Sequence, residues 1–289
     1  MAKKRLSIAI PSSVVSDTPH LREKTAKVGL IGRAAAIFRV DEIIVYPDIP
    51  GTNQNSEANF VATLLSYLET PQYLRKRLFK LTPNLQYAGI LPPLRTPHHP
   101  LNRRIKDLRP GEFREAVTLS ETEKHVLLDI GVEQPAMIRD KNLPSGKRVT
   151  VKVVRVGKPV EVELANRFEV PLYWGYTVGV ENLPFGSFLG KRDFDLKVAT
   201  SRYGSAFVDV AGAFRERLKG ANTVVVAFGA PGQGLGDIAK REGRRLNELV
   251  DFVVNTIPGQ GTETVRTEEA VLASLAIFNI LPELKNGPL

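Results

Sequence analysis

A change in periodicity near residue 92 constrains the fold of this chain more than any other feature. Before it, and again after residue 180, short apolar runs alternate with segments of helical periodicity. Between 113 and 180 almost every segment is β-branched or alternates apolar with polar residues, as strands do. The change begins at 92–100, PPLRTPHHP, where four of nine residues are proline. The pattern predicts an α/β domain that is interrupted by an all-β insert.

The alternation of strands and helices predicts a parallel sheet with helices on both faces. The expected strands of this sheet are 6–10, 41–47, 85–91, 195–201, 223–229 and 251–257. The expected helices are 21–38, 55–68, one that Pro71 opens, 206–218 and the basic stretch 237–250.

Strand-like segments punctuated by proline and glycine predict a small barrel or sandwich in the insert. These segments are 124–131, 148–157, 159–165 and 173–180. The predicted limits are 1–93 for the first part of the α/β domain, 94–180 for the insert and 181–289 for the second part.

The residue types that the chain lacks exclude several kinds of chemistry. Its 289 residues include no cysteine, which excludes disulfides and thiolate sites. The four histidines lack zinc-ligand spacing, so no metal is expected. No apolar run reaches the ~20 residues that span a bilayer, and the apolar run near the N-terminus is too short for a signal peptide. We therefore expect a cytoplasmic protein with no membrane partner.

The positive charge is concentrated in the first two thirds of the chain. Of the net charge of +9, residues 1–94 carry +5 and residues 95–180 carry +4, whereas residues 181–289 are neutral. Local positive charge favours a polyanionic partner, most simply nucleic acid. A generally basic proteome would give the same numbers, so both interpretations stay open.

Two strands near the C-terminus end in similar glycine-containing loops, VVVAFGAPGQG (224–234) and VVNTIPGQG (253–261). Parallel sheets bind ligands outside the carboxyl ends of their strands, and glycine permits close backbone approach. Neither loop has the glycine spacing of a P-loop or a dinucleotide site, which disfavours a phosphate cradle. A cup of backbone groups for a small neutral or zwitterionic ligand remains, as do two ordinary β–α turns. In the cup interpretation, Gly259 has positive φ and faces the ligand.

The helix after the second loop begins with acidic residues. Thr267 is the expected N-cap, and Glu268 and Glu269 then lie in the first turn, where carboxylates suit the helix dipole. Either the two acids only cap the helix, or they face a positively charged ligand such as a sulfonium.

Six segments, spread over nearly the whole chain, carry a family resemblance. They are GRAAAIFRVDEIIV (32–45), QYLRKRLF (72–79), LQYAGILPPLRTPHHP (85–100), FREAV (113–117), YWGY (173–176) and VNTIPGQGTETVRTEEAVLASL (254–275). Together they resemble the SPOUT superfamily, and within it the RNA methyltransferase branch in which an OB-like barrel interrupts the α/β-knot domain. The resemblance implies a parallel-sheet α/β domain whose C-terminal part is threaded through a trefoil knot.

The resemblance further implies that S-adenosylmethionine binds at the knot and that a homodimer forms through the knot region. The residues of this sequence that match the cofactor-binding loops are Phe228, Gly229, Ala230, Pro231, Asn255, Thr256, Ile257, Pro258, Gly259, Gln260, Gly261, Thr264, Val265, Arg266, Thr267 and Glu268.

Arg33 resembles the arginine of the first SPOUT motif, which makes it the candidate catalytic residue. Arginine stays protonated and is a weak base, but it orients a phosphate or stabilises charge on the methyl acceptor. An ion pair with a neighbouring acid is the structural alternative. No histidine–carboxylate pair that would serve as a general base is evident.

Basic and aromatic residues are the candidates for RNA contact, with a solvated helix, a loop without a role or a barrel core as the alternatives. Base stacking is considered for Tyr173, Trp174 and Tyr176. The predicted RNA-binding set is Arg75, Lys76, Arg77, His98, His99, Arg103 and Arg104.

The first functional interpretation is an S-adenosylmethionine-dependent RNA methyltransferase that acts on rRNA or tRNA. The second is a non-catalytic RNA-binding or ribosome-assembly factor that keeps the same fold. The intact NTIPGQG loop favours the first, and the missing base keeps the second open. The glycine spacing disfavours a third interpretation, a nucleotide-dependent oxidoreductase.

Overall fold

The structure is a computed structural model that describes residues 4–121, 125–139 and 143–284. Within these ranges the chain forms eleven strands. They are β1 (Arg5–Pro11), β2 (Glu42–Tyr46), β3 (Phe113–Glu121), β4 (His125–Asp129), β5 (Ala136–Arg139), β6 (Arg148–Arg155), β7 (Val160–Leu164), β8 (Thr177–Val180), β9 (Leu196–Ala206), β10 (Thr223–Ala227) and β11 (Phe252–Asn255).

The same ranges contain eight α-helices, among which no helix has the length and apolar character needed to cross a membrane. They are α1 (Leu21–Ile37), α2 (Asn55–Glu69), α3 (Gln72–Leu78), α4 (Phe185–Lys191), α5 (Phe207–Gly220), α6 (Leu235–Arg241), α7 (Leu246–Leu249) and α8 (Thr267–Asn279).

The described residues fall into two compact units. The sheet unit consists of 4–68, 84–93 and 176–284, and the barrel unit consists of 69–83 and 94–175. The predicted domain limits of 94 and 180 remain a prediction.

The sheet unit is built on six parallel strands in the order β11-β9-β10-β1-β2-β8. The strands are short apolar runs because both faces of the sheet are covered. On one face, the fully buried side chains of Tyr46, Phe185 and Phe188 pack with Leu235 and Ile238. In the same unit, α1 packs against α8.

Two predictions for this unit are wrong. Residues 85–91 form 3-10 turns instead of a strand, because β8 pairs with β2 at that edge of the sheet. The predicted helical stretch 237–250 is two helices, because Gly243 adopts φ of 69° and ends the first one.

The barrel unit contains a closed barrel in the order β3-β4-β5-β7-β6, in which only β5 and β7 pair in parallel among the described pairs. Alternating residues such as Val126, Leu128, Val151 and Val153 fill its interior. The prediction that 173–180 is a strand of the insert is wrong, because β8 belongs to the parallel sheet and 173–176 is not a strand.

Candidate functional site

The carboxyl ends of β9, β10 and β11 surround a cavity of about 470 Å³ in the sheet unit. Its walls come from the loop after β10, the loop after β11, the start of α8, an excursion within β9 and residues of α6 and α7. Parallel sheets bind ligands at this edge, since loops there project beyond the last ladder hydrogen bonds. The volume suits a small organic molecule.

The loop after β10 is fixed by hydrogen bonds to neighbouring strands. The backbone N–H of Phe228 donates to the carbonyl of Ala9 at 2.9 Å, and the buried Tyr46 hydroxyl donates to the carbonyl of Phe228 at 2.6 Å. Gly229 follows, where a Cβ atom would lie 2.9 Å from the Gln233 carbonyl oxygen. The turn therefore closes so tightly that only glycine fits without a backbone shift.

The loop after β11 is held by its own polar side chains. The Asn255 carboxamide accepts from the backbone N–H of Ile257 and donates to the carbonyl of Arg202, both at 2.9 Å. The Thr256 hydroxyl lies 2.8 Å from the Ser274 hydroxyl in the buried part of α8. The loop is thus tied both to β9 and to the following helix.

The start of α8 closes the cavity next to Gly229. The Thr267 hydroxyl donates to the Gly229 carbonyl at 3.0 Å. The expected N-cap at Thr267 is wrong by one residue: Arg266 occupies the cap position, and its backbone N–H donates to the Glu269 carboxylate at 2.9 Å.

Glu268 points away from the cavity, which corrects the expectation that it faces a cationic ligand. Its carboxylate is buried and lies 3.4 Å from the Lys27 ammonium on α1. Lys27 is also buried, and it pairs with Asp17 at 2.7 Å. The ion pair between Glu268 and Lys27 joins α8 to α1, and the cap of α8 is left to Glu269.

An excursion within β9 forms the part of the wall that the sequence analysis missed. Ala199 pairs with Val253 and Ser205 pairs with Val254, so residues 200–204 bulge out of the ladder. Thr200 to Tyr203 line the cavity as a result. The interruption of an apolar strand by the polar run TSRYGS was the available sequence signal.

The charged groups of the cavity wall have opposite signs. Among the described lining residues, Asp237 on α6 is the one acid and Arg202 on the excursion is the one base. The remaining wall mixes uncharged polar residues such as Asn247 and Gln260 with apolar residues such as Phe228, Ile257 and Val265. Such a wall suits a zwitterion with an apolar or aromatic part.

The structure brings together most of the predicted cofactor residues but not all. Of that set, Pro258, Gly259, Gly261, Arg266 and Glu268 are outside the cavity lining. The expectation for Gly259 is wrong, because its φ is not positive and a Cβ there would meet open space. The predicted residues that line the cavity are Phe228, Gly229, Ala230, Pro231, Asn255, Thr256, Ile257, Gln260, Thr264, Val265 and Thr267.

Arg33 lies on α1, outside the lining of this cavity. Its guanidinium donates to the carbonyl of Pro93 at 3.0 Å. Arg33 lies six residues, or about 9 Å along the axis of α1, beyond Lys27, the residue of α1 that contacts Glu268 on α8. Within one copy of the chain, Arg33 is therefore not part of the cavity wall.

The predicted RNA-binding residues of the barrel unit differ in exposure. Lys76, Arg77, Arg103 and Arg104 are exposed, although Arg77 pairs with Asp129 at 2.6 Å and Arg104 with Asp107 at 3.2 Å. Arg75 is half-buried and donates to the carbonyl of Thr70.

The two histidines contribute to a buried polar cluster around Glu69 instead of an open surface. His98 is fully buried, so we do not retain it as an RNA contact. Burial alone would raise the pKa of Glu69, but the charges of Arg148 and Arg167 and a hydrogen bond from His98 hold that pKa well below its usual range. Burial lowers the pKa of His99 to about 3, so His99 is neutral.

The prediction of base stacking by Tyr173, Trp174 and Tyr176 is wrong, because all three side chains are buried. Trp174 donates its indole N–H to Glu115 at 2.6 Å within the barrel unit. Tyr176 donates its hydroxyl to the carbonyl of Leu65 at 3.2 Å within the sheet unit. All three are core residues, and the polar ends of Trp174 and Tyr176 are hydrogen-bonded.

Comparison with known sequences identifies the family. The family described as "Putative RNA methyltransferase" matches residues 5–278. The chain belongs to this family. The match spans both units, including the barrel and every loop of the cavity wall.

Relatives match over almost the whole chain. An uncharacterized protein of Halobacterium salinarum is 38% identical over 290 residues, which cover 95% of this chain and 98% of that protein. A "28S rRNA (uridine-N(3))-methyltransferase" of Homo sapiens is 35% identical over 299 residues, which cover 94% of this chain and 77% of the human protein. The mouse protein of the same name is also 35% identical, covering 94% of this chain and 75% of its own length.

Proposed function

We propose that this chain is an S-adenosylmethionine-dependent methyltransferase that acts on N3 of a uridine in ribosomal RNA. The observation that carries the proposal is the cavity at the carboxyl ends of β9, β10 and β11, with its tight glycine turn and its two opposite charges. The family supplies the reaction class. The names of the human and mouse relatives supply the uridine and its N3 atom.

The cavity wall fits S-adenosylmethionine in size and in donor set. The volume of about 470 Å³ lies within the range of small-molecule sites. Backbone groups of the two loops would hold the adenine and ribose, and the Asp237 carboxylate would attract the ammonium group. The closeness of Gly229 to Gln233 leaves no room for a side chain at this turn of the loop after β10.

The bound cofactor would supply an electrophilic methyl group to uracil N3 and would leave as S-adenosylhomocysteine, and the N3 proton would pass to solvent water. In-line transfer of the methyl group requires that the cofactor and the uracil both be held in place. The loops after β10 and β11 would hold the cofactor. Arg33 would stabilise the negative charge that the uracil ring gains as its proton leaves. A side chain that stays protonated suits this role better than that of a base.

Arg33 is absent from the wall of the cavity in its own chain. The role proposed for it therefore requires that it reach the cavity of a second copy of the chain. Leu30, Arg33 and Ile37 follow an i, i+3, i+7 spacing and share one face of α1, on which Leu30 is 55% and Ile37 50% exposed. The adjoining helix α8 exposes Leu272. An apolar face of this kind supports a homodimer through α1 and α8.

The path of the chain after β11 supports a knotted SPOUT fold. β11 lies at one edge of the sheet, yet the next helix packs on α1, which joins β1 and β2. The chain must therefore return across the ends of β9 and β10, where Thr267 bonds to Gly229. We propose that this return passes through the trefoil knot of the superfamily.

The barrel unit would bind the RNA. Its strand order β3-β4-β5-β7-β6 is that expected of an OB-like barrel, a fold that binds oligonucleotides. Lys76, Arg103 and Arg104 are exposed on this unit and would neutralise phosphates. The chain would act in the cytoplasm, on rRNA in preference to tRNA.

The test is methyl transfer in solution. Purified protein is incubated with S-adenosylmethionine that carries a labelled methyl group and with rRNA or tRNA from cells that lack the protein. We expect label in 3-methyluridine of the rRNA digest. A protein that binds both cofactor and RNA but transfers no label would favour the non-catalytic assembly factor instead.

A further inference from the structure

The excursion 200–204 of β9 interrupts the pairing of β9 with β11. Five residues leave the sheet between two consecutive residues of β11 and then rejoin it. The return depends on Gly204, where a Cβ atom would lie 2.7 Å from the Val253 carbonyl oxygen. Irregularities of this kind commonly redirect side chains next to a site.

The excursion presents an exposed aromatic ring at the mouth of the cavity. Tyr203 is 83% exposed, more than any other aromatic side chain in the described part of the chain, and it lines the cavity. Its backbone N–H donates to the Ser201 hydroxyl at 3.2 Å, which helps to set its direction. Because the ring is mostly exposed, its burial contributes little to the stability of the fold.

Arg202 fixes the ring and covers one of its faces. The guanidinium carbon lies 4.7 Å from the ring centroid of Tyr203, and the guanidinium also donates to the Tyr203 hydroxyl at 2.6 Å. The same guanidinium donates to the carbonyl of Glu263 at 2.8 Å, which anchors it to the loop after β11. Tyr203 is 83% exposed, which leaves ring surface available to a planar ligand.

We propose that Tyr203 and Arg202 form a base-stacking subsite, which takes an RNA nucleobase that enters the active site. The subsite rests on the proposed function, since a nucleobase must approach the cavity mouth for its methylation. Stacking on an aromatic face suits any base, and the adjacent guanidinium adds attraction for the polyanionic strand. The subsite therefore positions RNA and leaves choice of sequence to other contacts.

Three variants separate stacking from other roles. Tyr203→Leu removes the planar ring, whereas Tyr203→Phe keeps the ring and loses only the hydroxyl bond to Arg202. Val208→Ala is the control, because Val208 is an exposed apolar residue on α5, five positions along the chain. KM for rRNA, kcat and the Kd for S-adenosylhomocysteine are measured for each.

We expect Tyr203→Leu to raise KM for rRNA by about 5- to 100-fold, the scale of removing one base stack. Its Kd for S-adenosylhomocysteine should stay within about 2-fold of wild type, and Tyr203→Phe should keep KM within about 3-fold. A Tyr203→Leu protein with unchanged KM would overturn the subsite. Equal weakening of S-adenosylhomocysteine would assign the ring to adenine, and equal damage by Tyr203→Phe would make the hydroxyl bond a structural tie. Either result would also overturn it.

A crosslinking experiment decides the subsite without depending on methyl transfer. Short RNA that contains 4-thiouridine is irradiated with the wild-type protein, and the peptide 198–219 is isolated after cleavage at lysine. We expect the crosslinked nucleotide at Tyr203. Crosslinks elsewhere, with none in this peptide, would overturn the subsite. A crosslink at Tyr203 in a protein that transfers no methyl group would support the subsite and overturn only the proposed function.

Discussion

Substitution of Gly229 tests whether the loop after β10 holds the cofactor. A Cβ atom at this position would lie 2.9 Å from the Gln233 carbonyl oxygen and 3.2 Å from both the Gly234 Cα and the Leu235 nitrogen. All three neighbours are backbone atoms, so no side chain can rotate away. The loop must shift by a few tenths of an ångström or more, at a cost of about 1–3 kcal/mol for overpacking of this kind.

The strain should appear mainly in the bound state. Without a ligand the loop relaxes outward and relieves part of the overlap, whereas a ligand against the loop holds it in the strained position. If most of this strain energy of about 1–3 kcal/mol opposes binding, Gly229→Ala should raise the Kd for S-adenosylhomocysteine by about 5- to 100-fold. Titration calorimetry measures this Kd, and circular dichroism checks that the variant is folded.

Gly259→Ala is the matched control, because it makes the same chemical change in the neighbouring loop. A Cβ at Gly259 meets nothing within 4 Å, and its φ is not positive. We expect its Kd to stay within about 2-fold of wild type. A folded Gly229→Ala protein with wild-type affinity would refute the role of the tight turn. So would a Gly259→Ala protein that loses as much affinity as Gly229→Ala.

Four further predictions concern catalysis, stability and RNA binding. Arg33→Ala should leave the cofactor Kd within a few-fold of wild type but lower the rate of single-turnover methyl transfer about 100-fold or more. Arg33→Lys should recover only part of that rate. A near-normal rate in a folded Arg33→Ala protein would make Arg33 a structural residue. Glu69→Gln should lower the free energy of unfolding in urea by about 1–3 kcal/mol, since it removes one of the two buried carboxylates that pair with Arg148, the other being Glu115; the exposed Glu216→Gln control should change it by under about 1 kcal/mol. Burial lowers the pKa of His99 to about 3, so between pH 6.5 and pH 3 the unfolded chain binds a proton at His99 that the folded chain does not. The temperature of the unfolding midpoint should therefore fall as the pH drops from 7 towards 4. The variant His99→Gln should show a smaller fall over the same pH range. Replacement of Arg103 and Arg104 by glutamine should reduce the salt dependence of RNA binding, by about 0.7–0.9 in log–log slope for each phosphate that is no longer neutralised; an unchanged slope would exclude both residues.

The sequence predicted those parts of the fold in which a local pattern and its burial agree. The apolar runs at 6–10 and 223–229 became the adjacent central strands β1 and β10, and the loops after β10 and β11 became cavity walls. Periodicity failed where partners far along the chain decide the outcome. Residues 85–91 have a strand-like composition, but the sheet edge beside β2 is taken by β8.

The candidate site was predictable only as far as its backbone loops. The excursion 200–204 depends on how β9 pairs with β11, and no spacing in the sequence fixes that register. The burial of Trp174 depends on a bond to Glu115, 59 residues away along the chain. The direction of Glu268 likewise depends on Lys27 at the other end of the chain. Contacts of long range therefore decide which polar or aromatic residues face a ligand.

The most direct measurement of the central claim is the modification state of rRNA in cells that lack this protein. Mass spectrometry of rRNA fragments from the deletion strain, from its parent and from the deletion strain carrying either the wild-type or the Arg33→Ala gene gives the comparison. We predict that one 3-methyluridine is absent from the deletion strain, returns with the wild-type gene and stays absent with Arg33→Ala. An rRNA methylation pattern identical in the parent and the deletion strain would contradict the proposed activity.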